Sequence, residues 1–419
     1  MNNKSLITAA LLALGFLSQT QAANTIYLTG SSAFRGNCFT VLSTATGVGG
    51  MFDATPDIAT RGNATPSKAG QMLFHGNISG VEYYVSCYWS GSEAGIASVA
   101  GNSIDNSPFG VLPGTPGNSA FLKTDGTVAY TQVSSGATAG EKDPASLNGD
   151  LAMADTSKDV SLSSTFSVFD FGKVGIAPFT WVKCVQSSPL PALTAMDNIT
   201  HAQIRVLLGF QQPAAFFTGN SAHANTTVYP IGRNKGSGTR VNALADSSYG
   251  ITKPVQQFSI NGIPFTGVGN ANSLAVADNN GYESGGDVSK ALRVDGTQSS
   301  TVDGNTGYIT VGYLGIGDAT ASADAPNNLL AMTTSSWLKL NGVAESDGAI
   351  EEGQYSMWGN EHLYGPNGIS GYKLAFGNSL KTKIGAVLGG GTPSANSSGI
   401  KLSFMHAEKA TDVAVPTRL

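Results

Sequence analysis

Charge is scarce in this sequence. Only 12% of its 419 residues are Asp, Glu, Lys or Arg, and the formal net charge is −5. An acidic, weakly charged chain offers no basic footprint, which excludes nucleic acid or an anionic membrane surface as its partner. Cysteine is nearly absent: Cys38, Cys87 and Cys184 permit at most one internal disulfide, with Cys38–Cys87 the preferred pair. The five histidines, His75, His201, His223, His362 and His406, are scattered without metal-ligand spacing, so neither a metal nor a cofactor is expected. Beyond the first residues there is no apolar run long enough to span a bilayer, which excludes membrane insertion.

What is present begins with residues 1–22, which have the form of a secretory signal. Lys4 supplies a basic start, Leu6–Leu17 an apolar stretch, and Thr20-Gln21-Ala22 a small-residue cleavage site. No cysteine stands at that point for a lipid anchor, so the product is expected in the periplasm or secreted. Glycine supplies 53 of 419 residues, well above the roughly 7% of ordinary chains, and implies many turns and long polar loops. The apolar share of 41% argues against disorder, and the length favours two lobes over one core.

The most informative stretch is Gly232–Arg240, G-R-N-K-G-S-G-T-R. It lies between a strand-like run, Thr227–Ile231, and a helix expected from Val241 to about Ser247. Glycines, Ser237 and Thr239 at a strand-to-helix junction leave amide hydrogens uncovered and add hydroxyl donors. The positive end of the helix dipole favours an anion there, and Arg233 adds a forked charge that matches two oxygens at once. The same residues also suit an ordinary capped turn.

Junctions of similar chemistry occur elsewhere. Asn24–Leu28 reads as a strand followed by Thr29-Gly30-Ser31-Ser32 and a helix from Ala33 to about Leu42, capped by Ser31 or Ser32. Arg35 falls in its first turn, where it either meets an anion or points to solvent. Val81–Ser90 alternates as a strand and leads through Gly91-Ser92-Glu93-Ala94-Gly95 into a short helix at Ile96–Ala100. Residues 101–148 are a Gly/Ser/Asn-rich insertion with room for one hairpin. Asp150–Asp155 is a brief buried strand ending in a carboxylate. Val168–Cys184 is the longest strand-like stretch, Ile199–Gly209 an amphipathic helix, and Val288–Val294 a short one. Gly307–Tyr313 is a buried strand, Gln354–Tyr364 a returning segment, and Ile369–Leu388 a helix interrupted at Gly377. Strands alternating with helices indicate an α/β architecture.

Seven of these segments, in this order, resemble the phosphate-binding periplasmic proteins of ABC importers. They are Thr29–Ala33, Gly91–Gly95, Asp150–Asp155, Leu193–Gly209, Arg233–Thr239, Gly307–Ala319 and Gln354–Tyr364, with Arg-x-x-Gly-Ser-Gly-Thr the most specific. The resemblance implies a two-lobed type 2 periplasmic-binding fold with a hinge, a ligand cleft between the lobes and long loop insertions. Lobe 1 would comprise residues 23–171 and 355–419, and lobe 2 residues 172–354. It also implies that Arg233, Ser237, Gly238 and Thr239 bind from the second lobe, and Ser92 and Asp155 from the first. Asp155 would accept a proton-bearing oxygen that sulfate lacks. The first-helix positions where the family has a hydroxyl and an apolar residue hold Phe34 and Arg35 here. Ser31 or Ser32 would supply the hydroxyl and Arg35 an extra charge. Where the family has an Asp beside the binding Arg this chain has Lys235, which leaves Arg233 without its acidic partner.

The function this implies is non-catalytic: an exported, monomeric solute-binding protein that takes phosphate or a related tetrahedral oxyanion to a membrane ABC permease. Two alternatives have other signatures. An exported phosphate-ester hydrolase would turn over substrate, although G-x-S-x-G and H-E-x-x-H motifs are both missing. A surface protein keeping the fold would show no ligand-linked stability.

Overall fold

The computed structural model describes residues 22–61, 65–101, 148–260, 273–295, 308–324, 327–412 and 414–419. Residues 1–21 of the expected signal and residues 102–147 of the polar insertion lie outside the described residues. The architecture is α/β, as expected, with one large mixed sheet flanked by helices.

The first strands are β1 (Asn24–Gly30), β2 (Asp57–Arg61), β3 (Gln71–Ile78), β4 (Val81–Tyr88), β5 (Leu151–Ala154) and β6 (Val168–Lys183). They are followed by β7 (Asn198–Ile199), β8 (Gln212–Pro213), β9 (Thr227–Ile231), β10 (Gln257–Ile260) and β11 (Leu274–Asp278). The last are β12 (Ile309–Gly315), β13 (Trp337–Leu340) and β14 (Trp358–Pro366). The longer helices are α1 (Arg35–Leu42), α2 (Ser92–Val99), α3 (His201–Gly209), α4 (Gly238–Asp246), α5 (Gly285–Arg293) and α6 (Gly371–Val387).

The sheet runs β2-β3-β4-β1-β5-β14-β6-β12-β9-β8, with β13 joined to β6 and β7. β6 organises it. Its residues 168–178 pair antiparallel with β14, from Val168↔Pro366 to Pro178↔Trp358. Its last five residues pair antiparallel with β12, from Phe179↔Gly315 to Lys183↔Val311. β1, β4 and β5 are mutually parallel, and β5 is antiparallel to β14, so all three run in the direction of β6. β9 and β12 run parallel to each other and against β6. The carboxyl ends of β1, β4 and β5 therefore point toward the β9/β12 half, and those of β9 and β12 point back. In open α/β sheets this facing edge is where ligands sit.

Burial follows from pattern. Residues 174–182 of β6 and 358–365 of β14 are buried without interruption, the mark of central strands covered on both faces. Trp181 and Trp358 are the largest fully buried side chains among the described residues. α3 starts at a capping box: Thr200 accepts from the Gln203 amide, the Gln203 side chain accepts from the Thr200 amide, and Ile204, Leu207 and Leu208 face the core.

Two expectations are corrected. Cys38 and Cys87 form no bond; both are free and wholly buried, as is Cys184. They pack in the apolar core as small hydrophobes, where burial raises their thiol pKa values and leaves the thiolate needed for exchange disfavoured. α6 runs unbroken through Gly377, which is there because a Cβ would stand 2.5 Å from the Phe171 ring.

Candidate functional site

Five strand ends deliver the polar groups. Asp155, one residue past β5, is 1% exposed and lies at the centre of a hydroxyl cluster. Ser92 Oγ donates to Asp155 Oδ1 at 2.5 Å, Thr239 Oγ1 to Oδ2 at 3.3 Å, and Ser31 Oγ to Oδ2 at 3.5 Å. Asn242 Nδ2 holds the Asp155 carbonyl at 2.8 Å. Thr239 and Asn242 come from α4, so the carboxylate of one half is gripped by the other half of the sheet. Burial raises the Asp155 pKa, against the hydrogen bond from Ser92 and the charge of Arg233.

Arg233 follows β9 and is also buried. Its Nη1 donates to Ser32 Oγ at 3.1 Å, Nη2 to the Glu283 carbonyl at 2.6 Å, and Nε to the Tyr282 carbonyl at 3.2 Å. Three acceptors fix the plane of the guanidinium, and the contact to Ser32 again crosses between the halves. Arg240 and Gln257 brace the Arg233 carbonyl at 3.0 and 3.3 Å. Burial lowers the Arg233 pKa; Asp318 and Asp155 offset this, and Arg35 adds to it.

Asp318, from the turn after β12, is the functional group that sequence reasoning left without a role. Its Oδ1 receives Arg35 Nη2 at 2.6 Å, with both side chains within 5% exposure. Arg35 is therefore buried and paired across the molecule, and does not point to solvent. Asp318 also acts electrostatically on Arg233, while its ion pair is with Arg35. A Cβ at Gly285 would come 2.4 Å from Asp318 Oδ2 and 3.6 Å from Arg233 Nη1, so the two charges approach over a glycine. The signal for Asp318 was available: an aspartate in a Gly-x-Gly-Asp turn closing a buried strand. Lys235 lines a separate small recess with Arg240 and Lys253.

The helix starts differ from expectation. α1 begins at Arg35 with Phe34 as cap, and Ser31 Oγ instead accepts from the Phe34 amide at 3.3 Å. Ser92 is the first residue of α2, spending its hydroxyl on Asp155, with Gly91 as cap at φ 98°. A side chain at residue 91 would be strained by that φ and would strike the Gly236 carbonyl at 2.4 Å. The same carbonyl accepts from the Glu93 and Ala94 amides at 3.0 and 3.4 Å, so the first-turn donors of α2 face the Gly236-Ser237 turn. Ser237 caps α4 through the Arg240 amide at 3.2 Å.

All nine expected positions, Ser31, Ser32, Arg35, Ser92, Asp155, Arg233, Ser237, Gly238 and Thr239, thus lie in one buried polar region at the facing strand ends. Two further carboxyls stand behind it. Glu93, fully buried and held by Ser163 at 2.9 Å and Thr156 at 3.2 Å, is pushed up to about 7 by burial. Glu361 is raised well above the ordinary carboxylate range by burial and by Asp155. Among the described residues, no group of three or more His, Cys, Asp or Glu could hold a metal ion, and no helix is long and apolar enough to cross a membrane.

No family model and no curated protein matches the chain. Among solved structures it is similar to one assigned as a phosphate ABC transporter substrate-binding protein with bound phosphate, from Clostridium perfringens. That match has 11% identity and a TM-score of 0.43, covering 86% of this chain and 93% of that one. An ABC-type phosphate transport receptor from Vibrio cholerae matches at 14% identity and TM-score 0.37, with 86% and 96% covered. PstS from Borrelia burgdorferi matches at 11% and 0.32, with 86% and 92% covered. Likenesses this distant assign no family to the chain.

Proposed function

We propose that this chain is an exported, non-catalytic solute-binding protein that holds phosphate or a related tetrahedral oxyanion between the two halves of its sheet, for delivery to an ABC-type membrane permease. One observation carries the reading. A buried arginine and a buried carboxylate, delivered by opposite halves, converge with the hydroxyls of Ser31, Ser32, Ser92 and Thr239 at the start of α4. Donors of this kind match oxyanion oxygens, and charge-assisted hydrogen bonds strengthen where water is excluded. Asp155 is the acceptor for a protonated oxygen, which phosphate carries and sulfate lacks at neutral pH. The basic and apolar leader in residues 1–22 supports export. The sheet supports two lobes, because β6 pairs with β14 in one and with β12 in the other; its change of partner at Pro178–Phe179 lies seven residues past the boundary expected between residues 23–171 (with 355–419) and residues 172–354. A protein of this kind works as a monomer.

The test is calorimetry of the protein lacking residues 1–22 with phosphate and sulfate, alongside a chromogenic phosphate ester to detect turnover. Phosphate should bind and the ester should not be hydrolysed; steady hydrolysis overturns the reading. Asp155→Asn should weaken phosphate by about 10–100-fold, the scale of a hydrogen bond to a charged group, and sulfate much less. Arg233→Ala should bring both below detection.

A further inference from the structure

The antiparallel ladder between β5 and β14 ends at the pair Ala154↔His362, and the next residues along the two strands are Asp155 and Glu361. Residues opposite each other in such a ladder project to the same face, with Cβ atoms about 5 Å apart. Gly359, two positions before Glu361 and on its face, lies so close that a Cβ there would strike the Asp155 carbonyl. The ladder thus sets two carboxyls side by side, with Asp155 at 1% exposure and Glu361 at 0%.

Their surroundings differ. Asp155 collects the hydroxyls of Ser92, Thr239 and Ser31 and feels the charge of Arg233. Neither Glu361 oxygen has a hydrogen-bond partner among the described residues. Asp412, in the C-terminal segment, acts on Glu361 as a like charge and is itself held by Asn360. Cys38 of α1 is a buried thiol, pushed up by burial and further by Glu361. Across the strand, β6 offers only Gly175, where a Cβ would strike Leu388. Burial pushes the Glu361 pKa well above the ordinary carboxylate range, Asp155 and Asp412 add to the rise, and Ser31 opposes it. A wholly buried carboxylate with no partner is too costly to keep, and two carboxyls sharing one place do not both ionise. The single charge belongs on Asp155, where hydroxyls and Arg233 receive it, and the proton on Glu361.

We propose that Glu361 is a positioning residue for the anion site, holding a proton so that Asp155 beside it stays ionised and able to accept a proton-bearing ligand oxygen. Its own ionisation then sets the alkaline limit of binding. This rests on the oxyanion reading of the same site. As pH rises, the proton leaves Glu361 and a second negative charge forms next to Asp155 and the bound anion. That charge repels the ligand and raises the cost of keeping Asp155 ionised, so phosphate is released. A glutamine at residue 361 has nearly the same shape and no charge to gain.

Calorimetry with inorganic phosphate from about pH 6 to about pH 10, on the chain lacking residues 1–22 and on its Glu361→Gln variant, tests this. The ratio of the two affinities at each pH cancels the titration of phosphate itself. Across that range the wild type should lose at least about tenfold more affinity than the variant. Parallel profiles would overturn the inference and leave the oxyanion reading standing. Infrared difference spectra of the two proteins at neutral pH give a second readout. The wild type should show the carbonyl band of a protonated carboxyl that the variant lacks; a carboxylate band in its place would overturn the inference. Should Glu361→Gln fail to fold, Glu361→Met, apolar and of similar length, replaces it in both measurements, because no hydrogen bond is lost with the carboxyl. If phosphate binds at no pH, the oxyanion reading and this role fall together.

Discussion

A methyl group at residue 238 would stand 1.6 Å from Asp155 Oδ1 and 2.8 Å from the side chain of Ser92. No rotamer relieves that, because the intruding atom is fixed to the backbone. Gly238→Ala should therefore force the carboxylate away from α4, at a cost of about 1–3 kcal/mol, and remove phosphate binding. Urea denaturation and calorimetry check the two parts separately; a variant with wild-type affinity would mean that Asp155 and α4 need not touch. Single residues also show where sequence reasoning succeeds. Asp155, Arg233 and Thr239 were legible because each stands in a short motif whose chemistry is local. The pairing of Arg35 with Asp318 was not, because 283 positions separate them and no spacing rule links such residues.

At the scale of elements, strands were located better than helix starts. β9 falls where the strand-like run Thr227–Ile231 was read, and β6 within one residue of its expected end. α2, α4 and α5 each begin three or four residues before the expected helix. Their first turns are made of Gly, Ala, Ser, Thr, Asp, Glu and Arg, which carry no apolar period, so the pattern registers only once Ile96, Val241 or Val288 is reached. The first turn of α2 also holds Glu93, whose carboxyl pKa is raised from 4.5 to about 7. Between those values the folded chain binds the proton that the unfolded chain has lost. The stabilisation is fully present below pH about 4.5 and disappears as pH rises through 7, a change of about 3 kcal/mol. Glu93→Gln should flatten that fall in denaturation measured from pH 4.5 to 7.5. Burial of Asp155 and Glu361 acts in the same direction and leaves a residual slope. A variant as steep as wild type would mean that Glu93 is not the group titrating.

For the whole molecule, a ligand held between the halves must raise stability by mass action. Phosphate at about 100 times its dissociation constant should add about 2.7 kcal/mol, read as a rise in melting temperature that Arg233→Ala abolishes. No rise in the wild type would favour a surface protein that keeps the architecture without the ligand.

β6 has one more consequence. Its backbone passes unbroken from the β14 ladder to the β12 ladder, and the change of neighbour falls between Pro178 and Phe179. Pro178 brings no amide hydrogen, and that of Phe179 goes to the Met357 carbonyl at 3.1 Å. An extended strand yields little to stretching but readily to torsion. If the two sides swivel as the proposed capture and release require, this strand would serve as the axle that keeps them from drifting apart, and the wear of each cycle would fall on those two residues.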